Sequence, residues 1–271
     1  MALTAELAAA DVILTIGGGN RVDFVDLNGQ IKLYPVAHPT TFIKLKLARL
    51  EEVNATGSVE QAVTNFQADS FTWTGPKLEL VNGANATAVA MSKLMNSQTN
   101  TTFGITALVF HEDGRAAYGP SGEINVSPRA VKFTLHIEKW PFLSPFNKLR
   151  LVAEVLYIGG DAGASGQSTQ LSSGETRYAF GPGAIDVQAK SINDHAFMKA
   201  HSKLTTLGTA QAVEWMFSSF VSTLEYDATL RLFEAEEADD PSAAATSITR
   251  ASLTVLSAMA LAALLASKPA L

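Results

Sequence analysis

The 271-residue chain contains no cysteine. Disulfides, thiolate metal sites, iron–sulfur clusters and a thiol nucleophile are therefore excluded, and the fold must be held by its packed core alone. Basic residues are few and dispersed: 20 Lys and Arg stand against 26 Asp and Glu, for a formal net charge of −6, with no run of five basic residues. Phosphate backbones are bound by concentrated basic faces, so this balance argues against nucleic acid as a partner. No basic residue precedes Arg21, and Glu6 and Asp11 interrupt the apolar residues at the start. A secretory leader needs a basic beginning and an unbroken apolar run, so residues 1–10 read as a lead-in with no evident signal peptide.

The usual chemical motifs are also missing. There is no Walker-type lysine loop, no G-x-S-x-G elbow and no H-E-x-x-H pair. Gly17-Gly18-Gly19 follows an apolar stretch, but the dinucleotide-binding spacing is wrong and no helix is expected next, so it reads as a flexible lead-in. The five histidines (His38, His111, His136, His195 and His201) form no H-x-H pair. His195 and His201, with Asp194 beside the first, are the one pair worth weighing as base or ligand; polar surface histidines are the default. Asp23, Asp26 and Asn28 make an oxygen-rich turn that does not match an EF-hand loop, and turn chemistry explains them. No metal, cofactor or catalytic residue is assigned. Glu138, Glu154 and Glu214 read as solvent-facing strand positions.

What the chain does have is period-2 alternation. Val22, Phe24 and Ile31, Leu33 flank Asn28-Gly29, a dipeptide suited to a tight hairpin because both its residues tolerate positive φ. Ile43, Leu45 and Leu47 alternate with Lys44 and Lys46, and Val131, Phe133, Leu135 and Ile137 alternate with Lys132, Thr134 and His136. Further strands are expected at Leu149–Tyr157, Arg177–Phe180, Ala184–Lys190, Ala212–Phe217 and Leu224–Phe233, with a second hairpin turn at Glu112–Arg115. Short helices fit Val59–Val63 and Ser191–His195. The pattern predicts an all-β antiparallel β-sandwich, jelly-roll-like or two packed sheets, over 11–234. A division near the glycine-rich segment 159–166 is the alternative.

After Phe233 the composition changes. Residues 235–250 are acidic, then small and polar, as in a solvated stalk. Ala251–Ala266 is an uncharged run of 16 residues within a hydrophobic tail, 251–271, expected to be helical. A membrane span needs about 17 residues or more. A lipid-anchor signal needs small residues, a spacer and a tail of about 10–20 residues, which Ser242-Ala243-Ala244 and the run approximate. The expected partner is thus a membrane, attached through the tail, with Ser242 as the lipid-anchor residue.

Two further features bear on function. Sequons occur at Asn54, Asn85, Asn100 and Asn125, against about two expected by chance, and Pro128 weakens the last. Aromatic residues cluster at Trp140, Phe142 and Phe146, and again at Trp215, Phe217 and Tyr226. Trp140, Phe142, Trp215 and Tyr226 read either as a platform for a sugar ring or apolar ligand, or as core plugs that anchor loops, with plugs preferred. Together these features predict a cell-surface or secreted glycoprotein with a structural, adhesive or recognition role toward a protein or carbohydrate ligand. The alternative is an extracellular carbohydrate-binding module or hydrolase built on the Trp140 and Trp215 loops.

Overall fold

The computed structural model describes residues 11–16, 19–25, 29–63, 72–81, 83–96, 98–117, 123–159 and 166–233. The stalk over 235–250, the expected C-terminal helix over 251–271 and Ser242 lie outside these residues. Among the described residues no helix is long and apolar enough to cross a membrane. The chain up to Phe233 clusters as a single unit that runs through the glycine-rich connection at 159–166.

Two large antiparallel sheets pack face to face. Strands are numbered in chain order. The first sheet runs β1 (Val12–Ile16), β2 (Asn20–Val25), β3 (Gln30–Pro35), β4 (Phe42–Val53), β12 (Lys148–Ile158), β19 (Ala210–Ser218) and β18 (His201–Leu207), with β5 (Val59–Val63) beside β4. The second runs β13 (Ser168–Gln170), β14 (Thr176–Phe180), β15 (Gly183–Val187), β20 (Thr223–Leu232), β11 (Ala130–Glu138), β8 (Thr101–Phe110), β7 (Ala84–Asn96) and β6 (Trp73–Val81). The short strands β16 (Lys190–Asn193) and β17 (Ala196–Lys199) extend it beside β20, and β9 (Gly114–Ala117) pairs only with β10 (Glu123–Val126).

The alternation in the sequence sets the two inner faces. Phe24 pairs with Ile31 and Ile31 with Leu45, so one row of apolar side chains crosses three strands on one side. In β4 the phase then changes. Arg49 pairs with Val152 and Leu47 with Ala153, leaving Ala48 as the extra residue of a β-bulge. The bulge turns Leu50 and Glu52 inward and Glu51 outward, where an unbroken alternation would have done the reverse. Across the core Trp215 and Phe217 of the first sheet pack on Tyr226 of the second, with ring centroids 6.4 and 4.9 Å apart. At the other side Phe24 meets Trp73 at 4.9 Å, and Trp73 Nε1 donates to the Val25 carbonyl across the sheets. Each such large apolar side chain contributes about 1.5–3 kcal/mol by leaving water.

Several local expectations are corrected. Val25 pairs with Gln30, so the first hairpin has a four-residue connection, 26–29, instead of the two-residue turn at Asn28-Gly29. Gly29, at φ +55°, lies against Met91 of the opposite sheet, where a Cβ would sit 2.7 Å from Met91 Cε. Ile16 pairs with Asn20, so the strands before and after the glycines pair as an antiparallel hairpin, and Gly17 and Gly18 lie outside the described residues. The short helices expected at Val59–Val63 and Ser191–His195 are absent. Val59–Val63 is the edge strand β5, and Lys190–Asn193 is β16, whose Ser191 and Asn193 bury their polar side chains against each other. The turn at Glu112–Arg115 does not close a hairpin onto β8: the chain leaves the sheet there and β9 pairs with β10.

Candidate functional site

The aromatic segments do not form an exposed platform. Trp215 and Tyr226 are fully buried, Trp140 is 6 % exposed, and Phe142 packs edge-on against Phe220 at 5.3 Å. Burial of Tyr226 raises its phenol well above 10.0, and its hydroxyl donates to the Gln188 carbonyl. These side chains are core plugs, the preferred of the two readings of the aromatic segments, and form no ligand platform. The cavity beside Trp140 and Pro141 measures 150 Å³, below the roughly 300 Å³ at which ligand pockets begin.

Beneath that loop lies a buried carboxylate. Glu52, turned inward by the bulge, has no solvent exposure. Its Oε1 accepts from Leu143 N at 2.8 Å and Asn147 Nδ2 at 2.5 Å, and its Oε2 from Gln61 Nε2 at 2.5 Å and Trp140 Nε1 at 3.3 Å. Burial alone would raise its pKa, but the four hydrogen bonds outweigh it and hold the carboxyl below 4.5. With no cationic partner and no opening to solvent, Glu52 organises the Trp140–Asn147 loop.

The large opening is elsewhere, on the outer face of the second sheet. A cleft of 410 Å³ has Arg177, Gln188, Thr229 and Arg231 as its floor. One wall is the β9–β10 hairpin. Ala116, Ile124 and Val126 pack over Leu108, Phe110 and Ala86 of β8 and β7, forming an apolar cluster separate from the main core. The alternate positions Arg115, Glu123 and Asn125 line the cleft, with Arg115 Nη1 3.3 Å from Glu123. The other wall is the β13–β14 turn. Leu171 N and Glu175 O close it at 2.8 Å, and Gln188 and Ser173 both donate to the Glu175 carboxylate.

The floor continues sideways across the sheet into buried charges. Arg177, Asp186, Thr229, Lys132 and Leu108 are successive ladder partners across five strands. Asp186 is fully buried and receives Arg177 through Nε on Oδ1 at 2.7 Å and Nη2 on Oδ2 at 3.0 Å, while Arg231 Nε lies 2.7 Å from the same Oδ2 as an ion pair without hydrogen-bond geometry. Asp227, also fully buried, accepts from Thr134 at 2.7 Å. Lys132 is 2 % exposed, and burial lowers its pKa against the opposing pull of Asp227, Glu175 and Asp186. One carboxylate thus binds Arg177 through two hydrogen bonds and forms an ion pair with Arg231 at the cleft floor.

The remaining candidate residues are scattered. Asn85, Asn100 and Asn125 are exposed. Asn54 closes its own turn: its Oδ1 accepts from Thr56 and Ser58, and its Nδ2 donates to Glu60 at 2.6 Å. Asp194 accepts three backbone N–H groups, from Val221, Ser222 and Thr223, at 2.6–2.9 Å. Burial pushes its pKa up, but those bonds prevail and lower it, so Asp194 anchors a loop. Glu154 and Glu214 pair with Lys46 and Lys203, both at 3.1 Å, on the outer face of the first sheet. Asp23 accepts from Tyr34 at 3.0 Å, and Asp26 and Asn28 lie outside the described residues. Among the described residues no group of three or more His, Asp or Glu is placed to hold a metal ion.

The sequence did not point to Glu52, Lys132, Asp186 or Asp227. The only signal was a charged residue inside an otherwise apolar strand, as in Gly183-Ala184-Ile185-Asp186-Val187. No family model matches the chain, and no curated protein matches its sequence.

Proposed function

We propose that the chain is a surface-displayed recognition module, attached to a membrane through its C-terminal segment, and that its polar cleft binds a carbohydrate. The observation that carries this reading is the cleft itself. Its lining presents planar donors and acceptors of both kinds, Arg115, Asn125, Glu123 and Glu175 on the walls and Gln188 and Arg231 on the floor. Such groups match the adjacent hydroxyls of a sugar ring, each of which donates and accepts. The site rests on ladder-bonded strands, which suits a preorganised binding surface. It replaces the Trp140 and Trp215 loops as the ligand-binding region. The acidic stalk, the uncharged run Ala251–Ala266 and the small residues at Ser242 support the attachment, and the exposed sequons at Asn85 and Asn100 support a lumenal or extracellular address.

The test is expression of the full chain in eukaryotic cells. Treatment of the cells with a phosphatidylinositol-specific phospholipase should release a glycosylated protein that binds immobilised oligosaccharides. Retention in the cytosol at the unmodified mass would overturn the display reading. A released, folded protein that binds no saccharide would overturn the carbohydrate reading.

A further inference from the structure

We infer that the cleft selects a saccharide bearing a carboxylate, with the acid group held by Arg231 and Arg115. This rests on the carbohydrate reading above and narrows it to one class of sugar.

The argument begins with Asp186. Arg177 is bidentate on its two oxygens, and Arg231 Nε lies 2.7 Å from one of them as an ion pair without hydrogen-bond geometry, so both guanidinium groups are drawn to the cleft floor before any ligand arrives. The planar terminal N–H groups of an arginine fit a carboxylate. In Arg231 the terminal nitrogens form no hydrogen bond with the described residues, and the side chain is 26 % exposed at the cleft floor. Arg115 stands on the facing wall, 68 % exposed and held only by the 3.3 Å contact to Glu123.

The lining carries three arginines, Arg115, Arg177 and Arg231, and two carboxylates, Glu123 and Glu175. With the buried Lys132, Asp186 and Asp227 the positive and negative charges balance, so the terminal N–H groups of Arg231, and not a net charge, favour an acid. A neutral sugar would satisfy Glu123, Glu175, Asn125 and Gln188 through its hydroxyls and leave Arg231 facing the ligand with no acceptor. A sugar acid satisfies both sets of groups. A free peptide carboxylate would meet the arginines, but among the described residues Ile124 and Leu171 are the only apolar side chains lining the cleft to hold peptide side chains.

The experiment is a ligand-detected NMR titration of the full chain with methyl β-glucuronoside and with its methyl ester, which keeps the shape and removes the charge. The glucuronoside should bind about tenfold more tightly than the ester, the size of one charge-assisted contact. Arg231→Gln should abolish that difference. Because Arg231 also neutralises Asp186, Arg115→Gln, on the exposed hairpin, is the second variant, and it should weaken the glucuronoside several-fold while leaving the ester unchanged. Equal binding of acid and ester would overturn the inference and leave the carbohydrate reading standing. Binding of neither sugar, with binding of a peptide through its free C-terminal carboxylate, would overturn both.

Discussion

Glu52 and Asn147, 95 residues apart in the chain, share a hydrogen bond of 2.5 Å in a place water does not reach. Three more donors converge on the same carboxylate, from Gln61, Trp140 and the Leu143 backbone. Glu52→Gln would turn an amide N–H toward donors and should cost about 2–4 kcal/mol, read from urea unfolding at neutral pH. The pH dependence has a definite sign. Hydrogen bonding holds the folded pKa below 4.5, so the stabilisation is complete above that value and is lost as pH falls through the folded pKa. The variant should lack that acid-sensitive part of the unfolding curve.

Lys132 and Asp227 are both buried on the outer face of the second sheet, and Asp227 is the foremost of the carboxylates that favour the charged form of Lys132. Lys132→Met and Asp227→Asn should each destabilise by about 2–4 kcal/mol, because each leaves a buried charge undercompensated. The double variant should lose less than the sum of the two. Strict additivity in denaturant unfolding would show that the pair is not coupled.

Gly183 pairs with Leu232, and a Cβ there would overlap the Arg231 carbonyl oxygen and meet Ile43 Cγ2 at 3.1 Å. Gly183→Ala should lower stability by about 1–3 kcal/mol as β15 and β20 are forced apart. Arg231 lies on the displaced strand, so saccharide affinity should fall with it. Thermal melting and the same NMR titration read the two effects together.

Much of this architecture was legible in the sequence. Strict alternation along Val131–Ile137 placed Phe133 and Leu135 in the core and Lys132 and Thr134 on the opposite face, as found. That face was then read as solvated, and here local periodicity fails. It records which side a residue takes, not whether another part of the chain covers that side. The β9–β10 hairpin covers the neighbouring strands β7 and β8 on that side, and its strands are too short for their apolar residues to stand out. The bulge at Ala48 was illegible for a related reason: one residue without a ladder partner reverses the sense of everything after it, so Glu52 turned inward against the pattern of Ile43, Leu45 and Leu47.

The aromatic residues separate by depth. Trp215→Ala should cost about 3–5 kcal/mol, because it empties a fully buried site against Tyr226. Phe146→Ser, at a residue 85 % exposed, should stay within about 0.5 kcal/mol of the parent. A large loss for Phe146→Ser in chemical unfolding would contradict the packing described for the loop.

Asn125 belongs both to a sequon and to the cleft lining. A glycan on it would occupy the space a ligand needs, so modification there and saccharide binding should exclude one another. Intact-mass measurements on protein from eukaryotic cells should show mass lost in Asn85→Gln and Asn100→Gln and none in Asn125→Gln. Asn54→Gln should show little change, since the Asn54 amide is committed to Glu60 and its own turn.

The last strand of the domain also has a mechanical meaning. β20 is a central strand, bonded along nine residue pairs to β11 and five to β15, and the chain leaves it at Phe233. A pull applied along β20 at Phe233 would load those ladders in shear, many bonds at once, so that they could not be unzipped one by one. Arg231 sits two residues from that point. Resistance to such a pull and contact with the cleft thus fall on the same strand.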